Sequence, residues 1–230
     1  MRGGTGLRAH NRQRTYWAIS DAAIRLFLEK GFDAVPVAEV AAAAGISKPT
    51  LFRYFPAKED LVLHRFADHE REAAGVVAGR PAGRPPLDAL RLHFLGGLQR
   101  RDPVTGLSDE EQVLAFHRLL YGTPALVARL SAYLSRTEAA LAGALAEATP
   151  DAAAQDTAAG AWGEDPRGPD TRLGARLAAG QIVAVQRILA EENWRRIAAG
   201  ESAGRVYPDA VAAAQRAFAQ LREGIGDRPR

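Results

Sequence analysis

Val37-Ala-Glu-Val40-Ala-Ala-Ala-Ala44-Gly45-Ile-Ser47-Lys48-Pro49-Thr50-Leu51-Phe52-Arg53-Tyr54-Phe55-Pro-Ala-Lys58-Glu-Asp-Leu61 reads as two short helices joined by a tight turn, with a third helix opening behind them. Val37, Val40, Ala41 and Ala44 give the first helix one apolar face. Gly45 stands where a helix ends and the backbone needs positive φ. Ser47 is a good N-cap for the next helix, expected over Lys48–Phe55. Pro49 falls in its first turn, where a missing N–H breaks no helical bond. That helix is too short to stand alone. It offers Lys48, Thr50, Arg53 and Tyr54, side chains that can reach phosphates or base edges. The pattern is a helix-turn-helix whose second helix could enter a DNA major groove.

The charge distribution sharpens this reading. The chain has 230 residues, a net charge of only +3 and 47% hydrophobic residues. It is not a polybasic nucleic-acid binder throughout, and its length suits one or two domains with a real core. Residues 1–14 carry Arg2, Arg8, Arg12 and Arg14 and no acid. Such a segment is either a basic, flexible arm that reaches DNA or a solubilising tail. No cysteine is present, which removes disulfides, thiolate metal sites and cysteine catalysis and fits a reducing cytoplasm. No apolar run is long enough to span a bilayer, and the Arg- and Gly-rich start is not a secretory signal. A cytoplasmic location without membrane attachment is the expectation.

Alanine is abundant and no stretch alternates with period two, so the expected fold is all-α. Thr15–Lys30 is the expected first helix, with Ala18, Ile19, Ala22, Ala23, Leu26 and Phe27 on one stripe. Lys58–Val77 reads as one continuous helix of roughly 28 Å, placed to link the head to the body mechanically. Leu87–Arg101, Ser108–Leu120 (with Ser108 and Glu111 as a capping box), Pro124–Ala148, Thr171–Ala199 and Val206–Gly224 follow. The Ala-, Gly-, Asp- and Pro-rich segment 150–170 reads as a loop. Trp162 within it is either a pocket lid or an ordinary loop residue.

Ala22-Ala23-x-x-Leu26-Phe27-x-x-x-Gly31-Phe32, followed by Val37-x-x-Val40-Ala41-x-x-Ala44-Gly45-Ile46-Ser47-x-x-Thr50-Leu51-Phe52-x-Tyr54-Phe55-x-x-Lys58-Glu59-x-Leu61, resembles the DNA-binding domain of the TetR/AcrR repressors. The resemblance implies a head over residues 15–62 and a helical ligand-binding and dimerisation body over 63–226. It also implies a homodimer on a palindromic double-stranded operator, with release by a small molecule. Ser47, Lys48, Pro49, Thr50, Arg53, Tyr54 and Lys58 are the expected DNA contacts. Lys48 and Arg53 suit guanine edges, Pro49 a thymine methyl, and Thr50, Tyr54 and Lys58 phosphates. Leu51, Phe52 and Phe55 are expected in the core. Val35-Pro36 and Phe52 depart from the family pattern, each removing a hydroxyl that would face phosphate.

In the body, Phe66, Phe94, Leu98, Phe116, Leu120, Leu130 and Tyr133 lie on the expected inner faces of four helices. They are either plain core or the walls of an effector pocket. Gln186 and Asn193 could orient an apolar or amphipathic ligand, or be exposed or interface polar residues. Tyr207, Val211, Ala214, Phe218, Leu221 and Ile225 repeat in heptad fashion. With Val185, Ile188 and Leu189 they form either a dimer seam or a face buried in the same subunit. Arg101-Asp-Pro-Val-Thr-Gly-Leu107, with Ala190-Glu-Glu-Asn-Trp194 and Tyr207-Pro-Asp209, resembles actinobacterial members of the family, which implies an acyl-CoA-like ligand.

An enzyme is the rival class. His10, His64, His69, His93 and His117 lack the spacing of a helical zinc pair or a di-iron bundle, and no phosphate loop or nucleophile elbow occurs. No metal or cofactor is expected. A second rival is a ligand-binding helical protein that has lost DNA binding, motivated by Val35, Pro36 and Phe52.

Overall fold

The computed structural model describes residues 4–67, 69–148 and 169–223, and among them regular structure is entirely helical. The helices are α1 (Gly4–Lys30), α2 (Val37–Ala43), α3 (Lys48–Tyr54), α4 (Asp60–Ala67), α5 (Glu72–Ala78), α6 (Pro86–Arg100), α7 (Glu111–Gly122), α8 (Pro124–Ala148), α9 (Pro169–Ala198) and α10 (Ala203–Glu223), with a 3-10 turn at Pro103–Thr105. The segment expected as a loop around Trp162 lies outside the described residues. Packing groups residues 4–67 and 111–133 into one compact unit and residues 69–110 and 134–223 into another.

The first unit is built on most of the α1 face expected from the sequence, but Ala18, expected on that stripe, is exposed, since the buried arc is already filled by Ile19, Ala22, Ala23, Leu26 and Phe27. Ile19, Ala22, Ala23, Leu26 and Phe27 are buried there with Val35, Val40, Leu51, Phe55, Leu61, Val62 and Leu63. The Ser20 hydroxyl is buried too and donates to the carbonyl of Leu61 at 2.7 Å. That bond ties the middle of α1 to the start of α4. Val35, which stands where the family carries a hydroxyl, is a fully buried core residue. Two expectations are corrected. First, α1 begins at Gly4, so residues 4–14 extend the helix rather than forming an arm. Arg, Leu, Ala and Gln there are good helix formers, and the Arg12 guanidinium donates to the Tyr16 hydroxyl one turn on, at 3.3 Å. Second, Lys58–Val77 is not one helix: it is α4 and α5, with a break before Glu72. Residues 68–72 hold no apolar side chain to continue the buried stripe.

In the second unit, α10 packs against α6 and α9. Its buried face is Ala203, Val206, Ala210, Ala214 and Phe218, with the Phe218 ring 6.2 Å from that of Phe94. Ala214 and Phe218, expected in a dimer seam, are therefore core of their own subunit. The heptad reading missed this because an ordinary helix turns every 3.6 residues, so the buried face drifts away from a 3.5 repeat. The expected capping box is also corrected. Ser108 is buried, α7 starts only at Glu111, and the Ser108 hydroxyl lies 3.5 Å from the N–H of Glu110.

The segment after α6 is the tightest joint of this unit. Arg101 takes the left-handed conformation at φ 55° and ends the helix. The Asp102 carboxylate accepts the N–H of Val104 at 3.1 Å, and the Thr105 hydroxyl donates to the Asp102 carbonyl at 2.7 Å. From α9, the buried Asn193 amide donates to the Thr105 carbonyl at 2.9 Å. Asp109 accepts the N–H of Ala203, the first residue of α10, at 2.8 Å. Gly106 lies so close to α9 that a Cβ would sit 1.9 Å from the Ala190 carbonyl oxygen. On the far side of α6, the Glu72 carboxylate bridges His69 Nδ1 at 2.6 Å and His93 Nε2 at 3.0 Å. These two contacts hold it well below the usual carboxylate range.

Two outcomes are expected. Gly106→Ala combines positive φ with backbone overlap and should destabilise the chain by about 3 kcal/mol or more. Gly45→Ala, also at positive φ but with open space, should cost about 1 kcal/mol. Thermal melts of both variants compare them. The second outcome concerns the buried His117 in α7, where burial lowers the imidazole pKa to about 4 from an ordinary 6.5. The unfolded chain takes up a proton below that ordinary value and the folded chain does not. Stability is therefore full above the ordinary value and falls as pH drops toward the folded one, by about 3 kcal/mol at most. Urea titrations across this window should show the loss, and His117→Leu should flatten it.

Candidate nucleic-acid interface

Helix α3 is fixed at its start by the residues the sequence suggested. The Ser47 hydroxyl accepts the N–H of Thr50 at 3.2 Å, and Pro49 occupies the first turn. Before it, Gly45 has φ 67°, and the N–H groups of Gly45 and Ile46 donate to Ala42 and Ala41 carbonyls. Leu51 is fully buried and anchors the helix from below; Phe55 is buried just past its end. Pro36 is the N-cap of α2, where its carbonyl accepts from Glu39 and Val40.

The outward face carries Ser47, Lys48, Pro49, Phe52 and Arg53, all exposed, with Thr50 and Tyr54 half-buried. Phe52 corrects the expectation that it belongs to the core: it is 40% exposed. The reason is helical phase, since Leu51 and Phe55, four apart, already fill the inner face. The Lys48 ammonium lies 5.9 Å from the centre of the Phe52 ring, and the Arg53 guanidinium 5.8 Å from that of Tyr54. The surface thus interleaves cations with aromatic rings, which suits phosphates and base edges together.

Tyr54 is set from behind by an aromatic cluster. Its ring meets Tyr16 edge-on at 4.9 Å; Tyr16 also meets Phe55 at 5.2 Å and stacks on His64 at 4.9 Å. Lys58 is placed differently from the rest. It precedes α4 and its ammonium turns inward, donating to the Phe32 carbonyl at 2.6 Å and lying 4.5 Å from the centre of the Phe32 ring. This side chain braces the head instead of projecting toward phosphate.

The other expected site residues are divided between the two units. Phe66, Phe116, Leu120, Leu130 and Tyr133 belong to the first unit, with the Phe66 and Phe116 rings 6.0 Å apart. Phe94, Leu98, Gln186 and Asn193 belong to the second. Leu98 is fully buried and Phe94 nearly so. Asn193 is engaged by Thr105 and also lines a cavity of about 260 Å³ with Glu192, Arg196, Asp209, Ala210, Ala212, Ala213 and Arg216. No group of His, Asp and Glu among the described residues is arranged to hold a metal ion. On α9, Leu173, Leu177 and Ile188 are exposed, at 53%, 57% and 55%. Val185, Leu189, Val211 and Leu221 are half-buried.

A sequence model of the tetR family of bacterial regulatory proteins matches residues 19–64, the stretch that builds this surface. The transcriptional regulator TcmR of Streptomyces glaucescens is 33% identical over 136 residues, 59% of each chain. Over residues 19–64 the chain is similar to the tetR family. A second relative, described as a mycofactocin biosynthesis transcriptional regulator, MftR, of Mycobacterium tuberculosis, is 38% identical over 84 residues, 36% of this chain and 42% of its own. The chain therefore spans about half the length of the curated relatives it matches. The solved structure of FadR from Bacillus subtilis in complex with stearoyl-CoA shares the fold, with a TM-score of 0.51, 18% identity and coverage of 92% of this chain and all of that one.

The two phenylalanines give the head a direct test. Phe55→Ala should cost about 3–5 kcal/mol, because it empties the core. Phe52→Ala should stay within about 1 kcal/mol, because it trims an exposed ring. Chemical denaturation reads both; equal costs would place Phe52 back in the core.

Proposed function

We infer that the protein is a homodimeric, ligand-responsive transcriptional regulator of the cytoplasm, acting as a repressor on a palindromic operator. The observation that carries this reading is the outer face of α3: Ser47, Lys48, Pro49, Phe52 and Arg53 point away from a helix whose Leu51 is fully buried. Lys48 and Arg53 would donate to guanine edges, and Pro49 would pack on a thymine methyl. Ser47, Thr50 and Tyr54 would fix register on phosphates. The head then corresponds to residues 15–62 and the body to 63–226. The similarity to the tetR-family model and to the regulator TcmR supports the regulator class over an enzyme.

One α3 has few contacts, so two copies at half-sites about 34–36 Å apart would be needed. The second copy would cover the apolar residues that α9 leaves in solvent: Leu173, Leu177 and Ile188. Val185, Leu189, Val211 and Leu221 would flank them, without Ala214 and Phe218. Ligand would have to favour the state that spreads the two heads, with a coupling of about 1–3 kcal/mol felt equally by DNA and ligand.

For the effector, an apolar or amphipathic molecule remains the proposal, with an acyl-CoA as the first to try. FadR, of the same fold, is solved with stearoyl-CoA. The Arg101–Leu107 segment supports this less directly, since Asp102, Thr105 and Gly106 already have structural duties.

The test is selection from a random duplex pool by the purified chain. A palindrome should be enriched, and Arg53→Ala should lose about 1–3 kcal/mol and relax one base position. Long-chain acyl-CoA should release that duplex and raise the melting temperature. A folded dimer that enriches no duplex would favour the alternative, a ligand-binding helical protein without DNA binding.

A further inference from the structure

Asp60 opens α4 and is 7% exposed. Its Oδ2 accepts the N–H of Ala57 at 3.1 Å, capping the short turn between α3 and α4. The same carboxylate receives a two-pronged contact from 69 residues further along the chain. Arg129 Nε donates to Oδ1 at 2.9 Å, and Arg129 Nη2 donates to Oδ2 at 3.0 Å. Paired parallel bonds of this kind fix orientation as well as distance, because the guanidinium is planar. Arg129 stands on α8, within the unit that holds the head.

The turn thus has two grips. Lys58 is drawn to the Phe32 carbonyl, while Asp60 is held by Arg129. Pro56 and Ala57 lie just before these grips, and before them Phe55, the C-cap of α3. A shift of the Asp60 carboxylate would move the Ala57 backbone, and with it the end of α3. We propose that Arg129 is a positioning residue for DNA binding: it orients Asp60, and through Asp60 the exit of the recognition helix, without touching nucleic acid. This rests on the reading that α3 binds DNA.

The variants Arg129→Gln, Asp60→Asn, their combination and Arg129→Lys separate the possibilities, since an asparagine can still accept from Ala57. Each full-length protein is tested on the duplex that wild type enriches, well below its melting temperature, across a salt series. Arg129→Gln and Asp60→Asn should each weaken binding by about tenfold. The combination should be no weaker than either alone, which marks a shared contact. The salt slope should not change, and Arg129→Lys should recover part of the affinity. Folded variants that bind like wild type overturn the proposal. So does a salt slope reduced by about one, which would make Arg129 a direct phosphate contact. If Arg129→Gln does not fold, Asp60→Asn against Arg129→Lys carries the same comparison. A wild type that enriches nothing instead brings down the DNA-binding reading itself, and this inference with it.

Discussion

Helices of seven residues do not hold themselves together in water, and the candidate interface is built on two of them. Everything around α2 and α3 answers that constraint. Leu51 and Phe55 are sunk into a core supplied by α1 and α4. Ser47 caps one end of α3, and Gly45 makes the turn before it. Ser20 ties α1 to Leu61, and Tyr16 props Tyr54 from behind. Lys48, Phe52 and Arg53 are then free of that duty, because none of them caps the helix or fills its core. Phe52 shows this freedom: an aromatic ring in solvent at a position where stability does not ask for one.

The second unit meets a different difficulty. Its helices are long, so the problem is to set their register. The 3-10 segment does that by backbone contact. Gly106 lets the chain approach α9 to a distance that no side chain permits, and Asn193 and Asp109 read main-chain groups on either side of it. The salt links of Arg196 to Glu201 and Asp209 add a strut between α9 and α10. These contacts account for residues whose pattern at first suggests a ligand motif.

Much of the head was legible from the chain because its signals are local. A cap, a glycine turn and a 3–4 apolar spacing each declare themselves within a few residues. α8 was bounded correctly at both ends for the same reason, by Pro124 and a run of strong helix formers. The misreadings came where the deciding partner is distant or where helical phase matters. Lys58 looks like a phosphate contact until Phe32 is seen beneath it. Asp60 reads as a helix start, but nothing nearby announces Arg129. Phe218 looked like a seam because it fits a repeat of 3.5, while a straight helix keeps its own period. The bridge from His69 through Glu72 to His93 joins residues 21 apart across α5 and α6, and no spacing rule would pair them.

The clasp around Gly106 also has a bearing on how the chain is made. Its partners, Asn193 and Ala203, lie 88 and 94 residues downstream of Thr105 and Asp109. At bacterial rates of synthesis, the segment would wait roughly 5–20 s for them to be translated. Until then Gly106 lacks the α9 backbone against which it sits in the finished protein. The head's buried residues from Ile19 to Leu63 are made earlier, although the α7 and α8 segments of the same unit come later. The order of emergence therefore favours α1 to α4 meeting before the Gly106 clasp can close.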